Sequence, residues 1–177
     1  HSEMPLMREG KLHGFQLWIN MPSYLKMAKP EYLHLDSKEI SHYDDPEKSV
    51  KVIAGRFEDI NGAISNHNVE PVYFNVSLTK GNKFFFLLSP EKNSFVYLYE
   101  GEIKVGHKDN GRLTGSTLII LSKGEILQVE AVDNAKFLLI SGRPINEEIA
   151  RGGPFVMNTR EEVLEAIEDY RNGTFIK

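Results

Sequence analysis

The chain has 177 residues and a formal net charge of −4 at pH 7, with 41% hydrophobic and 26% charged residues. This is the balance of an ordinary globular protein, and because no basic stripe is present, direct binding to nucleic acid is not expected. The lack of cysteine excludes disulfides and thiolate metal sites, and no apolar run approaches the roughly 20 residues of a membrane span.

The first part of the chain carries one strand signal and then a polar segment that contains prolines. The alternation over 12–20 (LHGFQLWIN) predicts a strand. Residues 21–49 contain three prolines and a polar run, a composition that favours a connecting arm with short extended pieces. This arm is the best candidate for a domain boundary.

Short strand signals then recur as far as residue 142, with turn residues between them at intervals of about ten residues. The predicted strands are 50–54, 72–78, 83–88, 94–100, 103–107, 116–121, 125–132 and 136–142. Many short strands favour an antiparallel sandwich or barrel. Alternation places Phe95, Tyr97 and Tyr99 on one face of their strand, which we interpret as a face of the core.

The period of the apolar residues changes near the end of the chain. Thr159 and Glu162 have the spacing of a capping box, and Gly173 is placed to end a helix. Between them, four apolar residues share one helical face: Val163, Ala166, Ile167 and Tyr170. The segment therefore predicts an amphipathic helix that packs on the outside of the sandwich.

The chain begins with a histidine and a glutamate two positions apart. On a strand, the side chains of His1 and Glu3 would point to the same face, where an imidazole and a carboxylate could bind one metal ion. Alone, this pair is a weak signal. Two origins are open: the natural chain continues upstream, or three residues were added before an initiator Met4.

Longer motifs resemble the pirin family. HSEMP at 1–5, followed by LHGFQLWIN, resembles the centre of that family, where His-x-Glu-Met-Pro leads into an aromatic strand. SGRP at 141–144 and GGPFVMNT at 152–159 resemble its C-terminus, and no general folding requirement produces GPFVMNT. The resemblance covers essentially the whole chain. HSEMP precedes LHGFQLWIN as His-x-Glu-Met-Pro precedes the aromatic strand in the family. The resemblance therefore favours the interpretation of His1 and Glu3 as part of a motif.

The resemblance implies an all-β fold, a cupin-type antiparallel β-sandwich with a C-terminal amphipathic helix, which is the second half of a bicupin. Residues 1–20 would be a remnant of the N-terminal, metal-bearing cupin, and 21–49 the connecting arm. Residues 50–142 would form the C-terminal cupin, and 143–177 the tail and helix.

The resemblance also implies a metal. In this family the N-terminal half binds Fe(II) or a similar divalent ion through three histidines and one glutamate, a ligand set that suits such an ion. His1 and Glu3 match the third histidine and the glutamate, and the first two histidines lie on a preceding segment. We expect this chain alone to bind the metal weakly or not at all. Because 81–101 and 125–142 contain no histidine, we expect the C-terminal cupin to be metal-free.

Residues between the motif and the arm have two interpretations. His13 either lies near the metal pocket or is a hydrogen-bonded structural histidine. Gln16, Trp18 and Asn20 share one strand face, which favours core packing over the lining of a pocket.

Two functions follow from the resemblance. One is a metal-dependent quercetin 2,3-dioxygenase that opens the flavonol ring with O₂, with Glu3 also able to act as a base toward the flavonol hydroxyl. The alternative is a non-catalytic binding module, such as a coregulator of transcription or metabolism. As a piece of a larger protein, the chain is expected to be inactive by itself.

The expected partners are a flavonol-like small molecule or a protein, with no nucleic acid and no membrane. An exposed apolar strand at 1–20 is a template for pairing. It is therefore expected either to form a homodimer or to pack onto the second sandwich. The expected location is the cytoplasm, or the nucleus in a eukaryote.

Overall fold

A computed structural model describes residues 9–65, 68–106 and 111–176. The described chain forms two compact units. One unit consists of residues 35–144, and the other combines residues 9–34 with residues 145–176.

The 35–144 unit is built from antiparallel strands in two main sheets. Its strands are β1 (Ser41–Asp44), β2 (Lys48–Ala54), β3 (Arg56–Phe57), β4 (Ile60–Asn61), β5 (Val72–Leu78), β6 (Lys83–Leu87), β7 (Asn93–Glu100), β8 (Glu102–Val105), β9 (Leu113–Thr114), β10 (Thr117–Ile120), β11 (Ile126–Ala131) and β12 (Ala135–Gly142). The large sheet has the order β1-β2-β5-β12-β7-β10, and the small sheet has the order β6-β11-β8-β9. Strands β3 and β4 form a separate pair. β1 and the start of β2 lie in the segment that the sequence assigns to the arm.

Side-chain alternation explains how the two sheets form one core. In β5, every second residue is buried, and Phe74 and Val76 are completely inaccessible to solvent. The large sheet and the small sheet contribute to the same hydrophobic cluster, in which Phe84 from β6 meets Phe137 from β12. The predicted antiparallel sandwich is therefore confirmed.

One prediction about this core is wrong. Phe95, Tyr97 and Tyr99 of β7 are only partly buried, whereas Val96 and Leu98 between them are fully buried. Alternation separates the two faces of a strand but does not show which face meets the second sheet. Val96 and Leu98 belong to the core cluster, so the inward face of β7 carries aliphatic side chains.

The predicted strand at 12–20 is also wrong. Within residues 9–34 the only regular element is a short 3₁₀ helix at Ser23–Leu25. A strand is stabilised by a ladder of hydrogen bonds to a neighbouring strand, and no strand of the described chain pairs with residues 12–20. Leu12 and Trp18 consequently remain 67% and 55% exposed.

The second unit contains the predicted helix. Strands β13 (Ala150–Gly152) and β14 (Phe155–Met157) form a hairpin that leads into helix α1 (Arg160–Asn172). The capping box of Thr159 and Glu162 is present, and Gly173 ends the helix in the left-handed conformation, with a φ of 72°. Val163 and Ala166 are buried on the side of α1 that meets this hairpin. No helix in the described part of the chain is long and apolar enough to cross a membrane.

Candidate functional site

The predicted metal ligands His1 and Glu3 lie outside the described residues. Within 9–65, 68–106 and 111–176, no group of three or more His, Cys, Asp or Glu side chains is arranged to hold a metal ion. The described part of the chain nearest to the motif in sequence is the segment of residues 9–34. This segment contacts the C-terminal tail.

Lys26 connects this segment to the tail. Its Nζ donates to Asn20 Oδ1 at 2.6 Å and to the Val156 carbonyl of β14 at 3.0 Å. Asn20 Oδ1 also accepts from the Met21 N–H at 3.0 Å. One ammonium group thus holds the end of the LHGFQLWIN segment against strand β14, in which Val156 lies 130 positions after Lys26.

Glu147 makes the second connection between the segment and the tail. Its Oε2 accepts the Ser23 N–H at 2.9 Å and the Asn158 Nδ2–H at 2.7 Å. Both donors favour the ionised carboxylate, so the Asn158 amide first, and then the Ser23 backbone, hold the pKa of Glu147 below its ordinary value.

Asn158 links Glu147 to the start of helix α1. Besides Glu147, the Asn158 Nδ2 donates to the Glu148 carbonyl at 3.1 Å. The Asn158 N–H donates to Glu162 Oε2 at 2.8 Å, and the same oxygen accepts the Thr159 N–H at 3.0 Å. The capping box of α1 therefore fixes Asn158, and Asn158 in turn orients Glu147. We call these contacts of Asn20, Ser23, Lys26, Glu147, Val156 and Asn158 the tail junction.

The aromatic residues of the segment lie at the surface. The Arg151 guanidinium lies 5.7 Å from the centre of the Trp18 ring, a cation–π distance. His13 is exposed and contacts Phe15, with ring centres 5.1 Å apart. The predicted core packing is wrong for Trp18 and Gln16, which are exposed, whereas Asn20 is partly buried and belongs to the tail junction.

A cluster of phenyl rings packs in the interior of the sandwich. Phe57 stacks on Phe84 with centres 5.6 Å apart, and Phe84 meets the edge of Phe137 at the same distance. Phe74 contacts Phe57 at 5.7 Å and Phe86 at 5.0 Å. These rings make the centre of the sandwich apolar.

Sequence reasoning missed Lys26 and Glu147. Each is a charged residue outside any recognisable motif, and nothing local distinguishes it from a solvated side chain. Asn158 belongs to the GPFVMNT motif, which marks it as a residue of interest. The motif does not indicate that Asn158 contacts Glu147.

Comparisons with known proteins agree with this architecture. Residues 73–176 match the pirin C-terminal cupin domain. Over 99% of this chain, 39% of the residues are identical to those of a pirin-like protein of Caulobacter vibrioides, and the match covers 63% of that protein. Pirin of Homo sapiens is 35% identical over 97% of this chain, and the match covers 60% of that protein.

A solved structure extends the likeness to three dimensions. The crystal structure of quercetin 2,3-dioxygenase from Acinetobacter baumannii aligns with 89% of this chain at a TM-score of 0.82 and 35% identity, and the alignment covers 55% of that enzyme. The chain therefore spans about three fifths of the length of the curated relatives described above. Its sequence, its cupin sandwich and its helical tail show that the chain belongs to the pirin family.

Proposed function

We propose that this chain functions as part of a metal-dependent quercetin 2,3-dioxygenase of the pirin type. The observation that carries the proposal is the likeness to the A. baumannii quercetin 2,3-dioxygenase, which extends over 89% of this chain. The substrate class is accordingly a flavonol, and the second substrate is O₂.

His1 and Glu3 have the chemistry that such a site needs. An imidazole and a carboxylate at positions i and i+2 are suitable donors for Fe(II) or a similar divalent ion. His1 and Glu3 would be two of the four metal ligands. The other two ligands would be histidines that precede this motif in the family. When bound, the metal would supply Lewis-acid chemistry toward the flavonol and O₂. Glu3 accepts the proton of the flavonol hydroxyl.

The proposal assigns different roles to the segments. Residues 1–20 belong to the metal-bearing cupin, and 21–49 are the connecting arm, whose last part already contributes β1 and the start of β2 to the large sheet. Residues 50–142 form a structural cupin, and 143–177 are the tail. The packed phenyl interior of the sandwich, with Phe84 and Phe137 fully buried, supports a structural role for the 50–142 segment.

Exposed apolar side chains support pairing of the 9–34 segment with further polypeptide. Leu12, Trp18, Tyr32 and Leu33 are each more than half exposed. Strands that precede the motif in the family would cover such a surface, and so would the same segment of a second copy in a homodimer.

The experiment is a flavonol turnover assay on two proteins, the 177-residue chain and a chain extended upstream by the segment that the relatives carry. We expect quercetin consumption coupled to O₂ uptake by the extended protein, and loss of both in His1→Ala and Glu3→Gln. An extended, metal-loaded protein that consumes no flavonol contradicts the proposal. If that protein also captured a protein partner, the binding-module function would be favoured.

A further inference from the structure

The tail junction is the structural feature that the proposed function does not use. It joins two segments that lie more than 120 positions apart, through the Ser23–Glu147 hydrogen bond and the Lys26–Val156 hydrogen bond. A third contact, Arg151 over Trp18, lies beside them. Three separate contacts between the same two segments define one orientation of residues 18–26 relative to the tail.

On the tail side of the junction, hydrogen bonds connect Glu147 to the start of helix α1. Glu147 Oε2 accepts from Asn158, and the backbone of Asn158 donates to Glu162 Oε2 of the capping box. The position of Glu147 is thus set by the first turn of α1, whose Val163 is buried. Glu147 accepts hydrogen bonds from Ser23 of the segment and from Asn158 of the tail. As an ionised carboxylate, it is a stronger hydrogen-bond acceptor than a neutral amide.

The segment side has little structure of its own. Residues 9–22 form no helix and no strand, and Phe15 and Ile19 are each 39% exposed. Segments with few buried contacts open locally more easily than the core does. Hydrogen bonds from the tail therefore help to fix the position of such a segment.

We propose that the C-terminal tail positions the 18–26 segment, with Glu147 as the positioning residue, and that this positioning contributes to metal binding by the half of the protein that carries His1 and Glu3. The first part stands on the contacts alone, and the second part rests on the proposed function. The structure thereby assigns the tail a role in the metal-bearing half of the protein.

The first test is amide hydrogen exchange measured by mass spectrometry on the 177-residue chain. Glu147→Ala removes the acceptor of the Ser23 N–H, so we expect exchange in peptides covering 18–26 to accelerate about tenfold. Glu147→Gln keeps an acceptor oxygen without the charge, so a smaller acceleration is expected. Peptides from β7 report whether the sandwich is still folded.

Glu148→Ala is the matched control. It removes the same charge at the next position, where the backbone carbonyl makes the contact and not the side chain. We expect wild-type exchange in residues 18–26 of this variant. Wild-type exchange in Glu147→Ala, or equal acceleration in Glu147→Ala and Glu148→Ala, overturns the positioning role.

The second test uses the upstream-extended protein loaded with cobalt(II), whose visible spectrum reports ligand geometry. We expect Glu147→Ala to alter this spectrum and to weaken apparent cobalt affinity several-fold, with Glu148→Ala unchanged. An unaltered spectrum and affinity in Glu147→Ala, despite faster exchange in 18–26, overturns the link to the metal ligands. If the wild-type extended protein binds no cobalt, both the proposed function and this link fail, whereas the exchange data still decide the first part.

Discussion

The rings of Phe57 and Phe84 stack inside the sandwich, with centres 5.6 Å apart and planes 11° from parallel. Phe84 lies on β6 of the small sheet, and Phe57 lies on the short strand that follows β2 of the large sheet. Their contact joins the small sheet to the separate β3–β4 pair within the core, and both rings are at most 2% exposed.

Substitution of Phe84 tests the structural role of this core. Phe84→Ala should lower the free energy of unfolding by about 3–5 kcal/mol, because it removes buried surface and leaves a cavity. Phe85→Ala is the control, since Phe85 is adjacent in sequence, points to the opposite face and is 54% exposed. Its cost should be below about 1 kcal/mol. Urea denaturation measures the free energy of unfolding of both variants. Equal losses of this free energy would contradict the faces of β6 to which Phe84 and Phe85 are assigned.

Gly101 allows the tight connection between β7 and β8. Its φ is +85°, and an added Cβ would lie 2.7 Å from the Ala135 Cα and closer still to the Asn134 carbonyl oxygen. Gly101→Ala should therefore cost more than the ~1–2 kcal/mol of the left-handed conformation alone. Gly81→Ala is the comparison, because Gly81 has a φ of +82° but nothing within 4 Å of the added Cβ. Thermal unfolding should give a clearly lower unfolding temperature for Gly101→Ala than for Gly81→Ala. The reverse order would contradict the close approach of Gly101 to the Asn134–Ala135 backbone.

The capping box at the start of α1 is a third target. The Glu162 N–H donates to Thr159 Oγ1 at 3.2 Å, and Glu162 Oε2 accepts the Thr159 N–H. Thr159→Ala should destabilise the helix by about 1 kcal/mol, whereas Thr159→Ser retains the acceptor and should cost less. Exchange rates of amides in the first turn of α1 measure the effect. Equal rates in the Ala and Ser variants would show that the hydroxyl is not the stabilising group.

The features predicted correctly from the sequence depend on local patterns. Thr159 and Glu162 are three residues apart, so the sequence itself contains the capping box. The strands of the sandwich follow from alternation over a few residues. The inward face of β7 depends instead on the opposing sheet, and for this reason alternation alone does not place Phe95, Tyr97 and Tyr99 on the correct face.

The tail junction could not be predicted for a related reason. Ser23 and Glu147 are 124 positions apart, and neither belongs to a periodic pattern. The strand predicted at 12–20 failed because a strand also needs a neighbour, and periodicity does not supply one. His1 and Glu3 stay a prediction from the motif.

Asp45 makes stability depend on pH in acid. The Lys48 ammonium donates to Asp45 Oδ2 at 2.7 Å, and the N–H groups of Glu47 and Lys48 donate to Oδ1 at 2.7 and 2.8 Å. Lys48 first, and then these backbone donors, hold the pKa of Asp45 well below its usual range. A lowered folded-state pKa stabilises the fold above the unfolded-state pKa of about 3.9, and this stabilisation is lost as the pH falls through the folded value.

Asp45→Asn should accordingly be less stable than wild type at pH 7, and the difference should shrink as the pH is lowered below about 4. Asp59→Asn is the control, because Asp59 is a fully exposed carboxylate that pairs only with the exposed Arg56 among the contacts described. Its stability should follow the wild-type pH dependence. Urea midpoints measured across the acid range decide the question, and a constant difference between Asp45→Asn and wild type would contradict the assigned role.

The most direct test of the proposed site is metal content by elemental analysis. The proteins compared are the 177-residue chain, the upstream-extended chain, and the extended chain with His1→Ala or Glu3→Ala. We predict about one equivalent of iron or a similar divalent ion in the extended protein and a large loss in either variant, because each removes one of the few ligands that hold the ion. The 177-residue chain alone should retain little metal. Full metal content in both variants, or tight binding by the 177-residue chain alone, would contradict the assignment of His1 and Glu3 to a shared site.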